Sequence, residues 1–141
     1  MKPNACAIEE YAVRVCTREE SSICSGQWLG EGVILSLIEI TAAPGNRDKI
    51  TELLQFSAES LETRAGCQSA GVYLDDERCT VLYVERWTSE DEYRRHVQSV
   101  LYLGVLNALD LAHAPPKISI HTVSSTKSFE FIEELRNSRR Q

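Results

Sequence analysis

Three histidines occur in this chain, His96, His113 and His121, and one of them stands in company that could do chemistry. His96 follows a Glu-x-Trp run, Glu85-Arg86-Trp87, and a charged stretch. An imidazole titrates close to neutrality, so His96 can act as a general base, or it can be a structural group on a helix. Trp87 can wall a pocket against a flat aromatic ligand or fill the core at a strand end. Glu85 shares a strand face with Trp87, and a buried carboxylate there needs a partner. Arg94, Arg95 or Arg86 of a second copy are the candidates. Tyr73 and Tyr83 can donate hydrogen bonds to a quinone-like oxygen, or fill a sheet face with the hydroxyl at the rim. Cys67 is either a reactive thiol or a small buried side chain. His113 and His121 are isolated, and no second ligand at sensible spacing supports a metal site.

The elements that must position these groups are legible in the pattern. Gly66 to Trp87 reads as a hairpin, two strands joined by the acidic turn Asp75-Asp76-Glu77-Arg78. In the expected register Cys79 faces Leu74 and Cys67 lies near Arg86, which argues against a Cys67–Cys79 disulfide. The second strand puts Val81, Tyr83, Glu85 and Trp87 on one face and Leu82, Val84 and Arg86 on the other. Ser89 with Glu92 three residues on is a capping box, so a helix starts at Glu90. It carries Tyr93 with either His96 or Val97 on a common face.

Upstream, Val33 to Thr41 is apolar on nearly every residue, as in a strand covered on both sides. A helix begins at Asn46 or Arg47, with Ile50, Leu53, Leu54, Ser57 and Leu61 on one face, and Gly66 is placed for a left-handed cap. Downstream, Val100 to Leu111 is helical with Leu103, Leu106 and Leu109 or Asp110 in phase. Pro115-Pro116 stops it. Lys117 to Val123 is a last strand, with Ile118 and Ile120 on one face and His121 opposite. Glu130 to Arg136 is a short helix whose Phe131 and Leu135 can pack down. The order strand, helix, strand, strand, helix, strand is the ferredoxin-like α+β order. Residues 1–32 form an N-terminal extension with a strand pattern at Tyr11, Val13 and Val15, an extra strand or arm. Residues 33–123 form the ferredoxin-fold domain, and 124–141 a short helix and basic tail.

Gly66, Cys67, Tyr73, Glu85, Trp87, Ser89 and His96, in this order and spacing, resemble the antibiotic biosynthesis monooxygenase (ABM) family, of the dimeric α/β-barrel superfamily. The resemblance runs from about 33 to 123. It implies a barrel-like dimer with helices on one sheet face. It also implies an oxygenase that needs no cofactor, with His96 near the pocket. Cofactor-free members tend to use an Asn on the first strand beside a Trp. Here that strand offers only Ser36 and Thr41 as uncharged polar residues, and the second His that many members carry after the first is absent from Val97 to Tyr102.

The totals narrow the classes. The 141 residues suit one domain, and 43% hydrophobic with 26% charged residues is ordinary for a globule. A net charge of −6 opposes a nucleic-acid surface. The N-terminus lacks the apolar run of a signal peptide, and no stretch is long enough to span a membrane. Five cysteines without a Cys-x-x-Cys pair fit a reducing compartment, so the expected location is cytoplasmic. A sheet apolar on both faces needs cover on both. Each Val, Leu or Ile left wet forgoes roughly 1.5–3 kcal/mol, so a homodimer is expected.

Two function classes stand. One is a cofactor-independent monooxygenase acting with molecular oxygen on a small aromatic, quinol-type substrate. His96 is then the base, and Trp87, Tyr73, Tyr83 and Glu85 line the site. The other is a non-catalytic, homodimeric small-ligand-binding or regulatory module. Haem binding through His96 or His113 is a third, weaker possibility.

Overall fold

The structure is a computed structural model that describes residues 16–17 and 32–140. Its frame is an antiparallel sheet of β1 (Cys16–Thr17), β2 (Val33–Thr41), β3 (Cys67–Asp75), β4 (Thr80–Trp87) and β5 (Lys117–Val123). The spatial order is β1-β3-β4-β2-β5. The four long strands in the order β3-β4-β2-β5 have the ferredoxin-like arrangement, in which β4 lies between β2 and β3. The expected α+β class is therefore what the chain adopts. β1 pairs onto the outer edge of β3 through Cys16–Ala70 and Thr17–Ser69. The strand pattern at Tyr11, Val13 and Val15 lies outside the described residues.

One face of the sheet is covered by helices α1 (Arg47–Ser60), α2 (Glu90–Val97) and α3 (Leu103–Asp110), with a 3-10 turn at Val100–Tyr102 leading into α3. Burial alternates along β2, where Ile34, Ser36, Ile38 and Ile40 point inward. It alternates likewise along β4, where Val81, Tyr83, Glu85 and Trp87 do so. Ile50, Leu54, Ala58 and Leu61 of the α1 region close the core over them.

The opposite face carries Leu35, Leu37, Leu82 and Val84, all half-buried, with Tyr73 40% exposed. No described helix packs there. This face has the apolar residues that the sequence placed on it, without the second layer they call for. Strand β5 sits at the other edge with Ile118 and Ile120 exposed.

Several local expectations are corrected. The hairpin turn is Asp76–Cys79, with Asp75 paired to Thr80 and Leu74 to Val81, so the register is displaced from the one expected. Cys79 closes the turn at φ 53°, the left-handed region. Cys67 pairs with Trp87 across a bulge at Gln68, and its buried thiol donates to the Ser69 carbonyl at 3.5 Å. Cys79 is disulfide-bonded, which departs from the expectation of reduced cysteines, and Cys67 is not its partner.

Helix α1 ends at Ser60 and Gly66 does not cap it. A Cβ at Gly66 would lie 2.6 Å from Glu92 Cβ, so Gly66 is needed for the close approach of α2. In α3 Leu103 and Leu106 of the expected leucine stripe face outward, while Leu109 packs against the core. Tyr102, Val105 and Ala108 are buried, while Leu103 and Leu106 are exposed. The 3-10 turn resets the helical phase, and Gly104 against Ser57 lets α3 press closely on α1. The C-terminal helix α4 (Phe129–Ser138) exposes every residue, so Phe131 and Leu135 do not pack down on this chain. No described helix is long and apolar enough to cross a membrane.

Candidate functional site

The site grows from the inward face of β4. Side chains two apart on a strand share a face, so Tyr83, Glu85 and Trp87 stand in a row beneath the helices. Glu85 is 1% exposed and accepts from both neighbours. The Tyr83 hydroxyl donates to Glu85 Oε2 at 2.7 Å, and Trp87 Nε1–H donates to Oε1 at 3.0 Å.

Helix α2 supplies the third partner. Ser89 starts it by accepting from the Glu92 N–H at 3.3 Å, as the capping box required. Tyr93 and His96, three apart, then turn inward, and Val97 does not. His96 Nε2 lies 2.9 Å from Glu85 Oε2. The imidazole stacks on Trp87, with ring centroids 4.7 Å apart and planes 24° apart. Tyr102 stands edge-on to it at 5.2 Å. The other ring nitrogen, Nδ1, is buried and has no hydrogen-bond partner.

A second chain of hydroxyls adjoins this one. Ser36 pairs with Glu85 across β2 and β4, and the Tyr93 hydroxyl donates to Ser36 Oγ at 3.3 Å. Burial foremost, then the Glu85 charge and its hydrogen bond, hold the Tyr83 phenol well above its usual range. Burial also raises Tyr102, helped by Tyr93 and Glu85. Both phenols therefore stay neutral donors at ordinary pH.

Four of the five residues singled out in the sequence thus meet in one cluster: His96, Glu85, Trp87 and Tyr83. Tyr73 does not join them. It pairs with Leu82 and so lies on the opposite face. Glu85 has no arginine partner among the described residues. Arg94 and Arg95 instead pair with Glu90 and Glu92 on the surface of α2. Ser36, Tyr93 and Tyr102 are the members that sequence reasoning did not place. Spacing on α2 allowed Tyr93, and the polar exception in an apolar strand pointed to Ser36. Tyr102 follows the change of phase at the 3-10 turn and gave no signal.

His113 and His121 are exposed and outside the cluster. No group of three or more His, Cys, Asp or Glu suited to a metal ion occurs among the described residues. The arrangement can hold a carboxylate dry and offer one unpaired imidazole nitrogen amid aromatic rings.

The family model for antibiotic biosynthesis monooxygenases matches residues 33–106, a span that contains this whole cluster. The chain belongs to that family. No curated protein sequence matches it. Among solved structures it is similar to Rv0793 from Mycobacterium tuberculosis, at 18% identity and a TM-score of 0.62, covering 68% of this chain and 99% of that one. A conserved protein from Methanosarcina mazei Go1 aligns at 19% identity and TM-score 0.60, covering 67% of this chain and 95% of that one. A structure described as an antibiotic biosynthesis monooxygenase aligns at 11% identity and TM-score 0.58, covering 65% of this chain and 99% of that one. At these identities the structural likeness speaks for the fold.

Proposed function

We propose that this ABM chain is a monooxygenase that works without a bound metal or flavin, oxidising a small aromatic, quinol-type substrate with molecular oxygen. The observation that carries the reading is His96 Nδ1, a buried imidazole nitrogen without a partner in an aromatic enclosure. An electron-rich phenol that gives its proton to Nδ1 becomes a phenolate able to pass an electron to oxygen. The quinol supplies all four electrons that reduce oxygen: a ring C–H becomes C–OH and the quinol is oxidised to the quinone, so one oxygen atom stays on the hydroxyquinone and the other leaves as water. The protein supplies the base, orientation and exclusion of bulk water. Trp87 offers a flat wall beside the base, and Tyr83 and Glu85 hold the imidazole side of the site. Nδ1 is enclosed by side chains, so substrate entry requires one to move. We assign that movement to Tyr102, on the short 3-10 turn flanked by exposed Val100, Leu101 and Leu103.

The working unit in this reading is a homodimer, because the face bearing Leu35, Leu37, Leu82 and Val84 has no cover in one chain. The test is oxygen uptake with a panel of hydroquinones and phenols. Uptake is expected with the native chain and a loss of at least about a hundredfold with His96→Ala, the scale of a lost general base. Uptake that survives this change removes His96 from the mechanism.

The complete enclosure of His96 favours a second reading, a module that binds a small aromatic ligand without turning it over. Ligand-dependent thermal stabilisation with no oxygen consumed across the panel selects it.

A further inference from the structure

Glu85 offers two oxygens with different tasks. Oε1 takes the Trp87 N–H, and Oε2 takes both the Tyr83 hydroxyl and a contact from His96 Nε2. An ionised carboxylate is an acceptor only. A bare Nε2 facing Oε2 at 2.9 Å would set two lone pairs against each other in a dry site. The imidazole proton therefore belongs on Nε2, and in the neutral ring the lone pair is left on Nδ1. Nδ1 is the atom that lacks a partner.

We propose that Glu85 is a positioning residue that fixes His96 as the Nε2–H tautomer, so that the site takes neutral O–H donors and refuses carboxylates. The inference rests on the reading of His96 Nδ1 as the ligand contact, and it deepens that reading by naming what decides the ligand's charge. A phenol can donate to Nδ1. A benzoate brings a second acceptor against an acceptor, and adds a negative charge to an enclosure that already holds the Glu85 carboxylate. Glu85 acts through His96, so it is assigned no contact with the substrate.

One substitution inverts the logic with little change of shape. In Glu85→Gln the amide oxygen can keep the Trp87 N–H while the amide NH₂ takes the place of Oε2. That group donates to the Tyr83 oxygen and to His96 Nε2, which must then be bare. The proton moves to Nδ1, and the ligand contact becomes a donor.

Long-range proton–nitrogen correlation spectra of the full chain report this directly. His113→Asn and His121→Asn remove the two exposed rings and leave His96 as the single imidazole. At pH 7.5 the parent is expected to show a protonated Nε2 and a bare Nδ1, and Glu85→Gln the reverse. A parent with Nδ1–H, or with both nitrogens protonated, overturns the proposal. So does a Glu85→Gln variant that folds and keeps Nε2–H.

The binding arm uses phenol and benzoate as probes. The parent is expected to prefer phenol by about tenfold or more, the scale of one hydrogen bond to a strong partner, and Glu85→Gln to lose or reverse that preference. Equal binding of the two probes by the parent overturns the proposal even if the variant fails to fold. These readouts need no turnover. An Nε2–H tautomer with phenol preference but no oxygen uptake sinks the oxygenase reading and leaves this inference standing.

Discussion

The two faces of one strand, β4, have opposite fates. Tyr83, Glu85 and Trp87 point under the helices and form a polar cluster whose donors and acceptors satisfy one another, apart from His96 Nδ1. Leu82, Val84 and Arg86, the residues between them, point to a face that no described helix covers. The polar residues are dry and the apolar ones are half wet. Packing alone does not select that distribution, because burying a carboxylate costs several kcal/mol and exposing leucine forgoes a gain. In the proposed reading the first face is organised for a site and the second for another copy of the chain.

Substitutions on the two faces should therefore break different things. The largest effect is expected at Trp87. Trp87→Ala removes a fully buried ring and the stacking partner of His96, costing about 3–5 kcal/mol in chemical denaturation. Its neighbour Arg86→Ala should cost about 0.5 kcal/mol or less. Similar losses at both positions would dissolve the contrast.

Tyr83→Phe comes next. It removes a donor from a buried carboxylate and should cost about 1.5–3 kcal/mol. It should also change the response to alkali. The folded Tyr83 pKa lies above its unfolded value, so the folded state holds this proton more tightly. The contribution is whole below about pH 10 and falls above it by up to about 1.4 kcal/mol per pH unit. Denaturation midpoints between pH 8 and 12 should show a shallower alkaline decline in Tyr83→Phe.

The smallest effect on the isolated fold is expected from the open face. Leu37, opposite Val84, can become Glu with a change in intrinsic stability of about 1 kcal/mol or less. In sedimentation, however, the native chain should run as a dimer and Leu37→Glu as a monomer. A native chain that stays monomeric at micromolar concentration would remove the dimer from the proposal.

What the sequence disclosed follows from which signals are local. Alternation along β4 announced the row Val81, Tyr83, Glu85, Trp87, and Ser89 with Glu92 announced where α2 begins. The face of Tyr73 was legible from the pairing. The expected turn, Asp75–Arg78, and the observed one, Asp76–Cys79, are both four residues long, so either register pairs odd residues with even ones and sets Tyr73 on the face of Leu82, away from Tyr83. A carboxylate at Glu85 suggests an opposite charge, hence an arginine, as its partner. Neutral donors from Tyr83 and Trp87, with His96, met the need instead. The leucines from Leu103 onward fit a single helical phase in the sequence, and a 3-10 turn is too short to betray itself by periodicity.

The contact between Trp87 and His96 gives the molecule an optical witness. Indole emission responds to what lies against the ring, and here an imidazole lies against it with a carboxylate on the indole nitrogen. Anything that protonates, displaces or covers that imidazole alters the light the protein gives off. With Trp28 replaced by Phe, the remaining indole reports on the buried cluster without any dye or label.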